Sequence, residues 1–354
     1  MRPLFPLLAS VACLALVNCA ATPKYASDEL LGVASVSAFA ETPAVETSED
    51  AADDPAIWVN PKDASQSLIL GTNKQSGIYV YDLSGAQKQF LPVGRVNNVD
   101  VRSVQTANGV RHIAAASNRT SNTLTFMEIN PETGKVNTLK DFAISEPEVY
   151  GYCLGVAKDG SLLSFVNTKT AKVLVHRIDL ETLTATQIDS WTFGGQMEGC
   201  SNDDAAGILF LGEEEHGLWR VTHDNGAETK REIMDTIAND QGLVMDVEGV
   251  DIWHGDNGTG YVVVSAQAAD RYVVYQREAP YKKVGIFNIK PSADGKVDGV
   301  SHTDGLAVSS AAFNESLSSG LLVVQDDDNT DPQGYQNFKL VNWKDVEKAL
   351  ELKK

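Results

Sequence analysis

Short apolar runs that end abruptly in polar residues recur along the chain. Six such runs are visible, and they begin at Leu68, His112, Ser161, Ile208, Gly260 and Gly320. Most are followed within a few residues by a second, alternating segment and a turn, as in the stretches GIYVYDLSG and KVLVHRIDLET. Two short alternating segments joined by a tight turn are typical of a β-hairpin. The pattern therefore predicts a series of six hairpins.

A third apolar segment precedes each hairpin and opens with acidic, amide or Tyr-Gly residues. The six segments read DDPAIWV, NNVDVRSV, YGYCLGV, EGCSND, VEGVDIW and TDGLAVS. Their openings recur at a spacing of roughly 46 to 56 residues, which is close to the length of one β-propeller blade. Three such strands and one more per repeat make a four-stranded blade. We therefore predict an all-β fold in which residues 41–350 form a single six-bladed β-propeller.

The two ends of the chain decide how such a ring closes. The last hairpin ends at NFKLVNW and leaves its blade one strand short, and an alternating segment at 33–40 is available to complete it. We predict that this N-terminal strand, within a linker at 22–40, closes the last blade and removes its open edge. The alternative is that 33–40 is a disordered linker. The final stretch, WKDVEKALELKK, is either a short amphipathic helix or a frayed tail.

Residues 1–21 have the layout of a secretory signal. Arg2 precedes a mainly apolar run from Leu4 to Val17, and small residues follow up to Ala21. The stretch LVNC, which ends at Cys19, resembles a bacterial lipoprotein processing site, and ordinary cleavage after Ala21 is the alternative. Either route predicts an exported protein that is periplasmic, secreted, or anchored to the outer membrane through a lipid on Cys19.

The charge balance narrows the set of partners. Lys and Arg total 29 against 48 Asp and Glu, so the formal net charge is −19. A chain this acidic repels nucleic acid, and we expect no nucleic-acid partner. An anionic substrate would need divalent cations to bridge the like charges. Because ring closure protects sheet edges, we also expect a monomer.

The polar openings of the third segments predict a metal site. The innermost strands of a propeller line its channel, so the residues at which these strands start would gather at one mouth. These residues are Asp53, Asp54, Asn97, Asn98, Asp100, Tyr150, Glu198, Asp246, Glu248, Asp298 and Asp304. So many neighbouring carboxylates need a counter-charge, and ligands that are all oxygen favour calcium over zinc. The alternative is that these residues only cap strands and turns.

Basic residues follow the second strand of each of the first three predicted blades. They are Lys74, Arg119 and Lys169, whereas the later blades carry Glu213, Glu214, Gln267, Asp326 and Asp327 there. The basic residues would form a cationic flank of the mouth, and the acidic residues of the later blades an anionic one. Such a pair of flanks fits a phosphate-rich substrate that is held by the basic residues on one side and by calcium on the other. The alternative is that these are ordinary surface charges. No complete GxSxG, HExxH or P-loop motif is present in the sequence, which leaves a water activated between calcium ions as the nucleophile.

Two cysteines lie within the predicted propeller. Cys153 and Cys200 lack the spacing of metal ligands. They are either two small buried side chains or a disulfide that forms in an oxidising compartment. Export of the protein would permit the second.

The motifs resemble those of the β-propeller phytases, calcium-dependent bacterial enzymes that hydrolyse inositol hexakisphosphate. The match runs in order from Glu41 to Trp343 through DAADDPAIW, TNK, NNVD, AASNR, EVYG, MEGC, DVEG, DGVSHTDG and QNFKLVNW. The sequence departs from the family at Gln75, in PEVYG, and in AQAADR at Ala266–Arg271. The resemblance implies a six-bladed propeller, several structural and catalytic calcium ions, and a 3-phytase type of activity on phytate or calcium phytate.

The resemblance also implies roles for individual residues. Calcium ligands would be Glu41, Asp54, Asn98, Asp100 and Asp298, and a catalytic calcium cluster would comprise Asp53, Glu198, Asp246, Glu248 and Asp304, with Glu213 as a further candidate. Two neighbouring phosphates would be held by Lys74, Arg119, Tyr150 and Lys169. The residues implied to act directly in catalysis are Asp53, Lys74, Arg119, Tyr150, Glu198 and Glu248.

Two other functions stay open at this point. One is a calcium-centred propeller hydrolase of the lactonase type, for which Lys74, Arg119 and Lys169 have no purpose. The other is a non-catalytic, calcium-stabilised binding propeller. It would keep the structural ligands but would tolerate loss of the cluster around Glu198 and Glu248.

Overall fold

The repeated hairpins form blades around a ring, as the pattern of apolar runs predicts. The computed structural model describes residues 25–239 and 241–353, so the predicted signal at 1–21 and its Cys19 lie outside the described residues. Within the described ranges the strands form six sheets. The innermost strands of neighbouring sheets contact one another around the whole ring. The fold is a six-bladed β-propeller, and the predicted fold class is confirmed.

Each blade is a meander that starts at the channel. The first blade holds β3 (Ala52–Trp58), β4 (Leu68–Asn73), β5 (Gly77–Asp82) and β6 (Gln87–Leu91), and the second holds β7 (Val96–Thr106), β8 (Gly109–Asn118), β9 (Thr123–Ile129) and β10 (Val136–Ala143). The third blade holds β11 (Val149–Val156), β12 (Leu162–Thr168), β13 (Lys172–Asp179) and β14 (Thr184–Thr192), and the fourth holds β15 (Met197–Asp203), β16 (Ile208–Glu213), β17 (Gly217–Asp224) and β18 (Ala227–Thr236). The fifth blade holds β19 (Val247–His254), β20 (Gly260–Ala266), β21 (Arg271–Gln276) and β22 (Lys283–Lys290), and the sixth holds β23 (Leu306–Ser309), β24 (Leu321–Asp326) and β25 (Asn337–Asn342).

Apart from the first three residues of β8, the second strand of each blade is buried on both faces, which explains why it reads as a continuous apolar run. Every residue of β4 is buried, because its blade is packed between two neighbours. Leu70 of the first blade, for example, lies in the same apolar cluster as Val99 and Ala114 of the second. The hydrophobic core is therefore distributed between the blades, and the channel is left to polar residues.

The N-terminal segment closes the ring, but with a different division of its residues from the one predicted. Strand β1 (Ala34–Ser37) pairs in parallel with β22 of the fifth blade, and its Val36 is buried in the cluster between the fifth and sixth blades. Only β2 (Ala40–Glu41) pairs with β25 of the sixth blade. Backbone bonds from Thr42 and Val45, both 2.9 Å long, extend this pairing. The last blade is thus closed by the chain from about Ala40 onwards, and the disordered alternative is wrong.

A few short helices lie between or beyond the strands of the described residues. They are α1 (Asp28–Leu31), α2 (Trp343–Ala349) and the 3₁₀ turns Ala64–Gln66, Ile237–Asn239, Asp256–Gly258 and Gln267–Ala269. Of the two alternatives for the C-terminal stretch, the helix is the correct one: it is α2, whose first residue Trp343 is buried and stacks on Trp253 with ring centroids 5.8 Å apart. None of the helices among the described residues is long and apolar enough to cross a membrane.

Cys153 and Cys200 form a disulfide. It joins the innermost strands β11 and β15 of two neighbouring blades, and the two Cα atoms are 5.7 Å apart. The interpretation as two separate buried thiols is wrong.

Candidate active site

The innermost strands begin at the same mouth of the channel and bring their first polar residues together there. A glycine follows each of the site residues Tyr150, Glu198, Glu248 and Asp304. A Cβ on Gly151 would lie 2.0 Å from the carbonyl oxygen of Glu198, and one on Gly199 would lie equally close, 2.0 Å, to that of Glu248. These glycines therefore let each innermost strand approach the next, and this packing brings the carboxylates of consecutive blades close together.

Three glutamates form a compact acidic cluster at this mouth. Glu198, Glu214 and Glu248 each place one carboxylate oxygen within 4.8 Å of the others. Glu198 and Glu248 are buried, and Glu214 is half-buried. The Glu214 carboxylate also accepts a hydrogen bond of 2.6 Å from the amide of Gln196.

The structure places Glu214 in the cluster, whereas the sequence analysis named Glu213. The carboxylate of Glu213 instead accepts a hydrogen bond of 2.7 Å from the indole N–H of Trp219. Register gives the signal that could have found this. Lys74, Arg119 and Lys169 each stand directly after the last residue of the second strand, and Glu214 is the residue that stands there in the fourth blade.

A second group of acidic residues surrounds Lys74. The Lys74 ammonium lies 2.8 Å from Asp304 Oδ2, 2.7 Å from Asp50 Oδ1 and 3.8 Å from Asp53 Oδ1. Gln267 donates a hydrogen bond to the other oxygen of Asp304. Lys74 therefore lies on the acidic side of the mouth, where it offsets part of the negative charge. The expectation that it shares one cationic flank with Arg119 and Lys169 is wrong.

The acidic side lacks enough positive charge for its carboxylates. Burial raises the pKa of Asp53 well above its usual value, and Lys74 opposes the shift while Glu198 adds to it. Burial and then Glu198 raise the pKa of Glu248 and bring that of Glu214 to about 7. Burial also brings the pKa of Asp304 to about 6 even though Lys74 lowers it. A bound cation would oppose these shifts, because it stabilises the ionised form of each carboxylate.

Orphaned buried oxygens mark where a cation would fit. Both carboxylate oxygens of Asp53 and one of Glu248 are buried without a hydrogen-bond partner. Such atoms are costly unless they ligate a cation or bind water. Because the donors are all oxygen, the set fits a hard cation such as calcium better than zinc. The residues present therefore fit the metal that the sequence predicts.

The opposite side of the mouth carries cations around an aromatic ring. The Lys169 ammonium lies 4.8 Å from the centroid of the Tyr150 ring, and the Arg119 guanidinium lies 5.6 Å from it. Burial, and then the charges of Glu198 and Glu248, raise the pKa of Tyr150 above its usual value. The phenol therefore stays protonated near neutral pH and can donate its O–H.

Asn97 joins the two sides of the mouth. Its amide donates a hydrogen bond of 2.7 Å to Glu198, and its carbonyl accepts one of 3.2 Å from Arg119. The Arg119 guanidinium is also held by Glu148, with 3.0 Å between Nε and Oε1. From the sequence, Glu148 was not expected at the site, Gln267 was expected only as the residue after a second strand, and Asn97 only as one of the polar openings. Their importance depends on contacts across blades.

The remaining predicted calcium ligands lie elsewhere. Glu41 and Asp298 form ion pairs with the buried ammonium of Lys339, together with Asp326 at 3.1 Å. This cluster belongs to the sixth blade and its closing strand, and it already contains a counter-charge. Asp246, by contrast, stays near the acidic cluster, because its charge adds to burial and to Glu198 in raising the pKa of Glu214. Its side chain is half-buried just before β19, and its backbone carbonyl accepts the N–H of Gln267 at 3.1 Å.

Asp54, Asn98 and Asp100 lie deeper in the channel, around a cavity of about 290 Å³. Asp54 accepts a hydrogen bond of 2.9 Å from the N–H of Val99 in the next blade, and Asp100 accepts one of 2.8 Å from the N–H of Leu154. Arg102 donates to Asp100 at 2.8 Å. These carboxylates link neighbouring innermost strands below the mouth.

The fold and the site together define a six-bladed propeller whose channel mouth combines a carboxylate cluster with basic side chains. Comparison with known proteins identifies the family. The chain matches the family described as Phytase over residues 6–354. It is also 35% identical over 329 residues to the 3-phytase of Bacillus subtilis (strain 168), a match that spans 89% of this chain and 85% of that protein. The chain belongs to the phytase family.

Similarity to solved structures supports the fold alone. An auxiliary nutrient binding protein from Bacteroides thetaiotaomicron has a TM-score of 0.52 and 10% sequence identity to this chain. The similarity covers 83% of this chain and 70% of that protein. At this level of identity it supports the propeller architecture and no functional statement.

Proposed function

We propose that the protein is a calcium-dependent phosphomonoester hydrolase that releases phosphate from myo-inositol hexakisphosphate at this mouth. Its membership of the phytase family supports the substrate and the reaction. The observation that carries the proposal is that the side-chain amide of Asn97 bonds both to Glu198 and to Arg119, so the acidic and the basic side of the mouth are one residue apart. A single phosphate group at this point would be within reach of both flanks.

Calcium is the cofactor that the acidic side would hold. We assign Asp53, Glu214, Glu248 and Asp304 to it from the orphaned oxygens and the raised pKa values. We add Glu198 because one of its carboxylate oxygens lies within 4.8 Å of those of Glu214 and Glu248. When bound, calcium would offset the carboxylate charge, polarise phosphoryl oxygens and lower the pKa of an attacking water. The predicted structural sites at Glu41 and Asp298, and at Asp54, Asn98 and Asp100, stay proposals of the sequence analysis.

Arg119, Tyr150 and Lys169 would bind and orient phosphate groups. Arg119 is held in place by Glu148 and Asn97, so its guanidinium is oriented before a substrate arrives. Tyr150 would donate its hydroxyl proton as a hydrogen bond, and Lys169 would supply a flexible point charge. Lys74 would contribute a charge on the acidic side, where it faces Asp304.

Hydrolysis requires a nucleophile, and we assign this role to water. The water oxygen forms the new bond to phosphorus and the bond between phosphorus and the inositol oxygen breaks. The water gives up one proton and the departing oxygen takes one up, so the products are phosphate and an inositol hydroxyl. Cys153 and Cys200 are tied in a disulfide and offer no thiolate for a covalent intermediate. This supports direct attack by water.

The test is phosphate release from inositol hexakisphosphate near neutral pH, with added calcium and then with excess chelator. We expect release only with calcium. Absence of release from protein that is folded and calcium-loaded would contradict the proposal, and lactone hydrolysis and ligand binding would then be assayed. Because calcium could act only on stability, circular dichroism in chelator accompanies the assay.

We also propose that the protein is exported and acts as a monomer. The disulfide supports export, because such bonds persist in oxidising compartments. Closure of the ring by β2 supports a monomer, because it covers the edge of the sixth blade. Cell fractionation with mass spectrometry of the N-terminus would test the export route and the lipid on Cys19. Light scattering would test the monomer.

A further inference from the structure

Arg271 connects the N-terminal segment to a turn at the mouth of the channel. The Arg271 side chain is buried, and its Nε lies 2.8 Å from Asp28 Oδ1 in helix α1. Its Nη2 donates a hydrogen bond of 2.7 Å to the backbone carbonyl of Ala26. The second oxygen of Asp28 accepts a hydrogen bond of 2.9 Å from Asn288 of β22. One guanidinium therefore holds the segment before β1 against the fifth blade.

Apolar packing joins the same two parts of the chain. Tyr25, Leu31 and Val33 of the N-terminal segment pack against the core cluster between the fourth and fifth blades. Ala268 and Ala269 of the turn after β20 pack against the same cluster. This turn, Gln267–Asp270, lies in the stretch where the sequence departs from the family resemblance. The ion pair is thus supported by shared apolar contacts.

On its other side the same turn holds the segment that leads into Asp304. Gln267 donates a hydrogen bond to Asp304, and Asp270 accepts one of 2.7 Å from the N–H of His302. Ser265, just before the turn, donates a hydrogen bond of 2.7 Å to the carbonyl of Thr303. The position of Asp304 beside Lys74 therefore depends on where this turn lies.

We propose that residues 25–33 act as a brace for the active site, and that Arg271 is a positioning residue that transmits the brace to Asp304 through the Gln267–Asp270 turn. This inference rests on the proposed function, because it gives Asp304 its importance. Arg271 is suited to this position, because a planar guanidinium can bind a carboxylate and a carbonyl at once. The Arg271 side chain is buried, whereas that of Asp28 is 45% exposed. Loss of Asp28 would leave the buried guanidinium without its carboxylate, and loss of Arg271 would remove both contacts to the N-terminal segment, so the turn would shift in either case.

The test compares Arg271→Gln, Asp28→Ala and the double variant with Arg111→Gln as a control. Arg111 makes similar contacts, to Glu128 at 2.7 and 3.0 Å and to the carbonyl of Leu180 at 2.7 Å, but at the start of β8, the end opposite Arg119. We expect kcat on inositol hexakisphosphate to fall about tenfold in Arg271→Gln, with little change in KM. In the control Arg111→Gln, both kcat and KM should be unchanged. The double variant should lose no more than the larger single loss, because the residues act through one contact.

Hydrogen–deuterium exchange provides a readout that does not need activity. Backbone N–H groups of 302–305 should exchange about tenfold faster in Arg271→Gln than in the wild type. In Arg111→Gln their exchange rates should equal those of the wild type. If Arg271→Gln does not fold, Arg271→Lys, which can keep one of the two contacts, should give an intermediate kcat and exchange rate.

The outcomes separate the two proposals. An inactive wild type in which Arg271→Gln still speeds exchange at 302–305 would refute the phytase activity but not the brace. An active wild type with kcat and exchange at 302–305 unchanged in the Arg271 variants would overturn the brace. Equal losses of melting temperature in Arg271→Gln and Arg111→Gln, with kcat retained in both, would also overturn it, because the ion pair would then be merely structural.

Discussion

At the scale of single residues, Glu214 and Glu213 make the sharpest comparison. Glu214 faces Glu198 and Glu248, whereas Glu213 accepts the indole N–H of Trp219. We expect Glu214→Gln to lower calcium-dependent phosphate release about 10- to 100-fold and to raise the calcium concentration needed for half-maximal activity. Glu213→Gln keeps an oxygen for Trp219 and should retain near wild-type activity. Calcium titrations of phosphate release check this, and equal losses in both variants would contradict the assignment.

The residues that the sequence could and could not reveal differ in how they act. Lys74, Arg119 and Lys169 were found because each repeats at the same place in a blade, directly after a strand. Asn97 and Gln267 contribute by contacts to residues 101 and 37 positions away. Repeat register predicts which residues reach the mouth, but not which side chains bond across blades, because packing between blades sets those contacts.

The buried imidazole of His223 makes the free energy of unfolding depend on pH. Burial lowers the pKa of His223 to about 4, and its Nδ1 accepts the N–H of Gly226 at 3.1 Å, so protonation would break that bond. Between about pH 6.5, the usual value, and pH 4 the unfolded chain binds a proton that the folded chain does not. This contribution to stability is therefore complete above about pH 6.5 and is lost progressively as the pH falls from there to about 4.

A matched variant isolates this contribution. Urea unfolding at pH 7, 5.5 and 4 should show that the free energy of unfolding of the wild type falls more steeply than that of His223→Gln, by up to about 3 kcal/mol over the range. Parallel pH dependences of the two proteins would show that His223 titrates normally in the folded state.

At the scale of elements, the approach of the innermost strands depends on Gly199. A Cβ at this position would lie 2.0 Å from the Glu248 carbonyl, so Gly199→Ala must push β15 and β19 apart. We expect it to cost about 1–3 kcal/mol of stability and, beyond that, to lower activity by separating Glu198 from Glu248.

Gly160→Ala is the control for this variant. Gly160 has a φ of 84° and open space around its Cβ position, so alanine there costs only backbone strain of about 1–2 kcal/mol. Activity per folded molecule should stay unchanged in Gly160→Ala and fall in Gly199→Ala. Thermal unfolding and phosphate release, measured on both, would show whether stability alone explains the loss.

The N-terminal strand shows why the pairing of an element is harder to predict than its existence. The alternating pattern at 33–40 indicated a strand, but a strand with one apolar face can pair with either of two neighbouring blades. Burial of Val36 between the fifth and sixth blades favours pairing with β22. The chain first bonds to β25 through the N–H of Phe39, just before β2. The sequence has no repeat unit against which this register could be compared.

At the scale of the whole molecule, the architecture was accessible because it is repeated. Six copies of one weak pattern at a regular spacing predict a closed ring more firmly than any one copy predicts a hairpin. The disulfide had no such support, because two cysteines in different blades carry no information about distance until the blades are placed. It joins strands whose first residues include Glu198 and Tyr150, so it is part of the same inner ring.

We therefore expect the disulfide to contribute to the free energy of unfolding of the whole ring. Cys153 and Cys200 are 47 residues apart, and closing a loop of this size restricts the unfolded chain by an amount that corresponds to about 2–4 kcal/mol. We expect the Cys153→Ala/Cys200→Ala variant to lose this much free energy of unfolding in urea titrations with calcium present. The wild type in excess reductant should lose a similar amount, because both treatments remove the same covalent link. If the double variant is as stable as the oxidised wild type, the inner ring of strands is held by packing alone, and the disulfide has no part in maintaining the site.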